Sequence, residues 1–429
     1  MKLKGKKLLL LGGTNIMGDL CAFRDKTGIR LFTTMDPQYE GSALKKITER
    51  SFSVSPLDRD GLIELVKREK IDGLFCGGNE RIISCAVDVA AACGLPFYSN
   101  REQWDMCSNK MRFKAACQEY GIPIVKEFGV LLHTLEDTKL TDIEYPVIVK
   151  PVDSCGSQGV VFCENEEALR NQFSFVMDNS KLKTAIIEEY ITGTEIVAYF
   201  TLCGGEISLS SVSDRFNPVN EMGLNSLPQA YQYPSKYTKL FINKYAEKFV
   251  RMFKEKFHLQ NGILGVQGFA CEEGLKFFEM GYRLGGTSQY RYTYAINGIN
   301  NLEMLIAHSL TGSMDYYPQN MDNALFNKPC CTLTLRSRPG KIDKIIGIEE
   351  VRDMEGCLYL ETHYTEGETV KKTNSLSEMV FWAFLIADHE TELRELIRKI
   401  KNTLKVLDEN GDNMLISLFD ENRLDYNYV

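Results

Sequence analysis

The side chains best suited to chemistry in this chain are cations and carboxylates at the ends of apolar runs. Lys150 closes Tyr145-Pro146-Val147-Ile148-Val149, and the small-residue loop Asp153-Ser154-Cys155-Gly156-Ser157-Gln158-Gly159 follows. A lysine at a strand end is badly placed for a core and well placed for a phosphate. The N–H groups of a glycine-rich turn can cradle further phosphate oxygens. Asn109-Lys110 opens a helical stretch that ends at Gly121-Ile122-Pro123, so Lys110 is a second candidate cation. The run Ile186-Ile187-Glu188-Glu189-Tyr190-Ile191 is a strand whose exposed end offers a carbonyl and an N–H two residues apart, which fits an adenine edge. Glu195, shortly after, suits ribose hydroxyls. Phe277-Phe278-Glu279-Met280-Gly281-Tyr282-Arg283-Leu284-Gly285-Gly286 sets an acid and an arginine on one strand end.

The elements that must position these groups follow from periodicity. In the first hundred residues short apolar runs (Lys7–Leu11, Ile29–Thr33, Gly73–Cys76, Leu95–Tyr98) alternate with helical stretches at Asp60–Lys70 and from Gly77-Gly78-Asn79-Glu80 through Cys93. That alternation implies a parallel sheet with right-handed crossovers. The turn Gly12-Gly13-Thr14-Asn15-Ile16-Met17-Gly18 does not fit G-x-G-x-x-G in either register. A nicotinamide-dependent oxidoreductase built on it would leave residues 105 to 300 unexplained. Further along, the pattern predicts a helix over Trp104–Gly121, strands at Tyr145–Lys150, Val160–Cys163 and Ala185–Tyr190, and a helix at Glu166–Met177. A strand pair is expected around Gly204-Gly205 and another at Gly265–Cys271 with Leu275–Met280. The aromatic stripe of Leu240–Phe257 reads as core. Short strands at Cys331–Arg336 and Cys357–His363 and a helix at Glu390–Leu407 complete the chain.

Composition removes several function classes. Among 429 residues 44% are hydrophobic and 25% charged, which suits a globular chain of more than one domain. Lys+Arg number 50 against Asp+Glu 58, a net charge of -8, so the basic field of a nucleic-acid binder is missing. The thirteen cysteines are scattered with no Cys-x-x-Cys and read as buried reduced thiols, which suits a cytoplasmic protein. The run Leu8–Leu11 is too short for a signal peptide, and no stretch approaches the ~18–20 apolar residues of a membrane span. The five histidines show no ligand spacing.

The order and spacing of these motifs resemble the ATP-grasp superfamily, specifically its carboxylate–amine ligases, over roughly residues 5 to 410. The chain is similar to L-amino acid ligases, biotin carboxylase and the halves of carbamoyl phosphate synthetase. The resemblance implies an α/β fold (α+β in the clamp). A Rossmann-like domain over residues 1–105 would precede an ATP-grasp domain over 106–327, with a small lobe at about 122–189 and a large lobe at about 190–327. A small, β-rich α+β domain would follow over 328–429. It implies ATP with Mg²⁺ or Mn²⁺ as cofactors. Lys110 and Lys150 match the family lysines on the nucleotide phosphates. Ser154, Gly156, Ser157 and Gly159 belong to the matching glycine-rich loop. Glu188, Glu189 and Ile191 match the adenine hinge, and Glu195 matches the ribose acid. Glu279 matches the metal-bridging acid, Arg283 the arginine facing acyl phosphate or substrate, and Arg215 a basic residue near the γ-phosphate.

Two positions depart from the family. Gln267 stands where glutamate is usual and Gly281 where asparagine is usual, and both of those normally hold metal. Gln267 still offers one neutral oxygen. The implied reaction is ATP-dependent joining of a small carboxylate to an amine through an acyl phosphate, releasing ADP and phosphate. The alternative is a weakened, ATP-binding regulatory protein. Asn79-Glu80, at a strand end of the lead domain, is a further candidate for substrate contact. Expected partners are the small-molecule substrates and a second copy in a homodimer, with neither nucleic acid nor membrane. Replacing Lys150 by alanine is expected to weaken ATP binding with little effect on folding.

Overall fold

The structure is a computed structural model describing residues 3–12, 16–34, 43–132, 142–153, 159–218, 227–317, 322–373, 376–416 and 418–428. Lys7–Leu11 lies inside a parallel four-stranded sheet, with Arg30–Thr34 and then Arg50–Phe52 on one side and Gly73–Phe75 on the other. Its four leucines alternate between two cores, because successive side chains in a strand point to opposite faces. Leu8 and Leu10 pack with Phe23 and Leu31, whereas Leu9 and Leu11 pack with Leu62 and Val66. Both faces are therefore covered, as a parallel sheet requires. Asn79 is absorbed here: its side chain accepts from the N–H groups of Arg81 and Ile82 and caps the helix Glu80–Cys93. The segment Leu95–Tyr98, expected as a strand, joins no ladder. Tyr98 crosses instead to the central part of the molecule, where its hydroxyl donates to the carbonyl of Tyr282 at 3.1 Å.

The helix expected from Trp104 to Gly121 is two helices, Arg101–Ser108 and Lys110–Glu119. They are divided at Asn109, whose side chain caps the second by accepting from the N–H of Arg112. A small antiparallel sheet follows in the order Glu127–Leu132, Thr184–Glu189, Val147–Pro151, Val161–Cys163, backed by the helix Glu166–Asp178.

The large sheet has nine strands. Its path runs Gly274–Gly281, Gly262–Cys271, Thr194–Cys203, Glu206–Phe216, Ala230–Tyr233, Cys330–Ser337, Met379–Ile386, Cys357–Thr362, and Leu415–Ile416 pairs with Cys330–Ser337. Strands from before and after residue 328 thus share one continuous sheet. On one face Ile196, Ala198, Phe200 and Leu202 are fully buried against Phe241, Phe249 and Phe253. These aromatics come from consecutive helical segments, Thr238–Phe241, Ile242–Ala246, Glu247–Arg251 and Met252–Lys256, the second and fourth of π type. The aromatic stripe is core, with Phe241 and Phe249 stacked at 5.7 Å.

The strand Met379–Ile386 escaped the sequence pattern. It is buried along nearly its whole length, so it shows no alternation. The last long helix stops at Thr403, and Lys405–Leu407 pairs with Lys344–Ile346. The twelve cysteines among the described residues are free thiols. None of the described helices is long and apolar enough to cross a membrane.

His308, in the helix Asn301–Thr311, is 4% exposed, and burial pushes its imidazole down from 6.5 to about 4. The folded state refuses a proton that the unfolded chain accepts. The stabilisation is therefore full above pH 6.5 and is lost as the pH falls toward 4, by up to about 3 kcal/mol. Urea unfolding of His308→Gln should show a shallower loss of stability than wild type between those two pH values.

Candidate active site

Three groups of charged side chains carry the sequence expectations. The first is buried between the small sheet and the helix Lys110–Glu119. Glu188 lies opposite Ile148 in the ladder, so it shares a face with Lys150, two residues further on. Lys150 Nζ is 2.7 Å from Glu188 Oε2, and Lys114 Nζ pairs with Glu188 Oε1 and, at 2.8 Å, with Glu127 Oε1. The side chains of Lys150, Glu188 and Lys114 are 8%, 4% and 2% exposed. Burial holds the Lys150 ammonium below the ordinary lysine value, and Lys114 adds to this, against the opposing pull of Glu188 and Glu279. The Lys150 ammonium also lies 5.1 Å from the centroid of the Phe278 ring.

Glu189 points the other way, as alternation demands. Its carboxylate accepts from the N–H of Lys126 at 2.7 Å and pairs with Lys276 at 3.1 Å. The backbone N–H groups of Glu189 and Tyr190 donate to the carbonyls of Lys126 and Pro146. Ile191 follows, half-buried in the connection to Thr194–Cys203. Of the small-residue loop, Ser154, Gly156 and Ser157 lie outside the described residues. Gly159 has φ +73°, and a Cβ there would come within 2.5 Å of the Asn179 Cβ and 2.9 Å of Pro151. Packing and backbone together therefore demand glycine at that position.

The second group lines a pocket between the lead domain and the large sheet, formed by Glu80, Lys110, Gln267, Glu279, Gly281 and Arg283. Gln267 and Glu279 are directly opposed on adjacent antiparallel strands, so both side chains leave the same face. Lys110 Nζ is 3.5 Å from Glu279 Oε2, and Arg283 Nε donates to Glu80 Oε1 at 2.9 Å. Burial alone would raise the Glu279 carboxyl, but Lys110, Lys150 and Arg283 outweigh it and hold it below the usual range. It is an ionised, half-buried carboxylate ringed by cations.

The third group is a cross-strand pair. Arg215 lies opposite Glu195, and its Nη1 is 2.8 and 2.9 Å from the two carboxylate oxygens. Both project from the face that carries Gln267 and Glu279, since Val197, opposite Gln267, shares the alternation of Glu195.

Lys114 and Glu127 were not anticipated. The available signal was the spacing of Lys110 and Lys114, four apart on one helix face. Without Glu188 in view, a lysine in that stretch reads as solvated.

Among the described residues no group of three or more His, Cys, Asp or Glu side chains could hold a metal ion. Glu279 with the Gln267 amide fits a magnesium ion that draws its remaining ligands from phosphate and water. Space for a further side chain exists, because the atoms nearest to a Cβ on Gly281 would be those of the Arg283 side chain, at 3.6 Å or more. The double substitution Gln267→Glu, Gly281→Asn is therefore expected to fold normally and to tighten Mg²⁺ binding in the presence of nucleotide, by about tenfold on the charge gained. Magnesium titration of ATP binding by calorimetry measures it.

Residues 107–287 match the family model of the ATP-grasp domain. Among curated proteins, phosphoribosylamine–glycine ligase of Fusobacterium nucleatum is 22% identical over 205 residues, covering 46% of this chain and 48% of the ligase. The chain spans about half the length of the curated relatives it matches. The L-amino acid ligase structure from Bacillus licheniformis superposes with a TM-score of 0.77 at 17% identity, covering 95% of this chain and 100% of that one. The biotin carboxylase domain of Hydrogenobacter thermophilus 2-oxoglutarate carboxylase, solved with MgADP and bicarbonate, also gives 0.77 at 17% identity, covering 94% and 90%. The fold expected from the sequence is the fold found: a parallel lead sheet, a two-lobed clamp, and a C-terminal part rich in strands.

Proposed function

We propose that the chain is an ATP-dependent carbon–nitrogen ligase that activates a small carboxylate as its acyl phosphate and passes the acyl group to an amine. The observation that carries this reading is the convergence of Lys110, Gln267, Glu279 and Arg283 on one pocket, beside the buried Lys150–Glu188 pair. In this reading Lys110 and Lys150 hold phosphate oxygens, the loop through Gly159 covers them, Glu188, Glu189 and Ile191 border the adenine, and Glu195 faces the ribose. Glu279 and Gln267 would hold Mg²⁺ or Mn²⁺, which when bound neutralises phosphate charge. Arg283 and Arg215 orient the substrate carboxylate and stabilise the charge on the transferring phosphoryl group. The carboxylate oxygen bonds to the γ-phosphorus as the bond to ADP breaks. The amine nitrogen then bonds to the acyl carbon as phosphate leaves, with one proton lost from nitrogen. Catalysis is positioning plus electrostatics, which accounts for a site of lysines and arginines without a Ser–His pair.

Lys110 pairs with Glu279, and Arg283 with Glu80, so nucleotide entry exchanges these ion pairs for contacts to phosphate and metal. The test is an ADP-release screen over carboxylate and amine libraries, followed by transfer of ¹⁸O from the labelled carboxylate to phosphate. ADP release without ¹⁸O in the phosphate overturns the acyl-phosphate step. A second reading, an ATP-binding regulator without turnover, is favoured by the neutral Gln267 opposite Glu279. ATP binding with no acid- or amine-dependent ADP release would establish it.

A further inference from the structure

The sheet face that carries Gln267, Glu279, Glu195 and Arg215 continues beyond Arg215. Arg215 lies opposite Tyr231, Tyr231 opposite Thr332, and Thr332 opposite Phe384. One step along the strands, Thr334 lies opposite Trp382 and Trp382 opposite Glu361. Directly opposed side chains share a face, so Tyr231, Trp382 and Glu361 belong to the same surface as the phosphate-side groups. Ring contacts agree: the Trp382 centroid is 6.3 Å from that of Tyr231 and 6.3 Å from that of His363. The helix Tyr290–Asn297 packs over this surface, with the hydroxyls of Tyr292 and Thr332 hydrogen-bonded at 2.9 Å.

Two polar atoms here are shut off from water without a partner, Glu361 Oε2 and Trp382 Nε1. Each residue is 4% exposed. Buried polar groups are paired in all but a few places, and each exception calls for an explanation, a bound group among them. The Glu361 case is the sharpest. His363 Nδ1 faces the carbonyl of Met379 at 3.1 Å, which can only accept, so Nδ1 carries a proton. Nε2 lies 2.7 Å from Glu361 Oε1, so one proton is held between them. That leaves Oε2 as an acceptor with nothing to accept from. Arg291, stacked 3.7 Å over the Tyr359 ring, gives Nη1 and Nη2 to Asp19, and its Nε makes no hydrogen bond, so the guanidinium does not pair with Glu361 Oε2.

We infer that this stretch is a pocket for a primary ammonium group on the substrate. Glu361 Oε2 accepts its hydrogen bond, and the Trp382 and Tyr231 rings border the cation, as aromatic rings do where an ammonium leaves water. The Trp382 N–H takes a polar group carried beside it. Calling the ligand a substrate rests on the ligase reading; the pocket itself does not.

The chain has two tryptophans, and Trp104 is buried in the lead-domain core. Trp104→Phe therefore leaves Trp382 as the single emitter. Titrating that protein, without nucleotide, with pentylammonium chloride should give a saturable change in emission, and 1-pentanol should give none. Glu361→Gln should weaken the pentylammonium response at least tenfold. Glu361→Asp, which keeps the charge but withdraws the oxygens, should weaken it too and serves if the first variant does not fold. An equal response to pentanol, or pentylammonium affinity unchanged in the folded variants, overturns the assignment. Since ATP is absent, that failure leaves the ligase reading standing. An ADP-release screen that finds no substrate leaves this pocket standing.

Discussion

Glu279→Gln is expected to abolish turnover, by at least about a thousandfold, while ATP binding in the absence of metal changes little. The carboxylate is the sole acid of the Gln267–Glu279 strand pair, and the cations around it keep it ionised inside the protein. On the proposed reading, losing its charge weakens the hold on magnesium; it also leaves Lys110, its 3.5 Å partner, without that anion. Removal of a single charge-stabilising group at a phosphoryl-transfer or oxyanion site typically costs about 10²–10³ in rate, and loss of a metal ligand adds to this. Steady-state ADP release across a magnesium titration, beside calorimetric ATP binding, separates the two effects. Near-wild-type turnover at saturating magnesium would remove Glu279 from the metal site.

The second large effect is on stability. Glu188→Ala should destabilise the fold by about 3–5 kcal/mol, the range for breaking a buried ion pair from one side. Without Glu188 the buried ammonium groups of Lys114 and Lys150 face each other across its vacated place, and Lys114 keeps Glu127 as its one carboxylate beside the Val125 carbonyl at 3.5 Å. On the proposed reading, a bound nucleotide supplies negative charge to the same cluster. MgATP should therefore raise the melting temperature of Glu188→Ala more than that of wild type, through the mass-action stabilisation of the folded state. Denaturant unfolding with and without nucleotide measures both. A wild-type midpoint for the variant would show that the cluster contributes nothing to the fold. The same geometry revises the expectation for Lys150→Ala. With Lys150 paired to Glu188 at 2.7 Å, the alanine variant should lose stability as well as ATP affinity.

Much of this was legible in the residues. Leu8–Leu11 read as a buried strand, and Phe241, Phe249 and Phe253 as core, because periodicity and hydrophobicity are local properties. Lys150 before a small-residue loop, and Glu279 before Arg283, announce phosphate chemistry because charge at the end of an apolar run has nowhere favourable to go except toward a ligand. Leu95–Tyr98 misled for the complementary reason. Its apolar residues are only half-buried, Leu95 and Phe97 against one core and Tyr98 against three, and nothing local says whether a ladder partner is near.

By itself the sequence determined which side chains could do the work, the alternation that turns Glu188 and Glu189 to opposite sides, and the order of lead sheet, clamp and trailing strands. These depend on neighbours within a few residues. Only the tertiary structure decided the pairings: Lys114 and Lys150 on Glu188, Arg215 on Glu195, Arg283 on Glu80, and the single face that runs from Glu279 to Glu361. Those depend on strand register and on how far each pair is withdrawn from water. Coulomb attraction between such groups is weak in solvent and strong in a protein interior, so the partners a charge finds there are settled by burial, which a linear chain does not display.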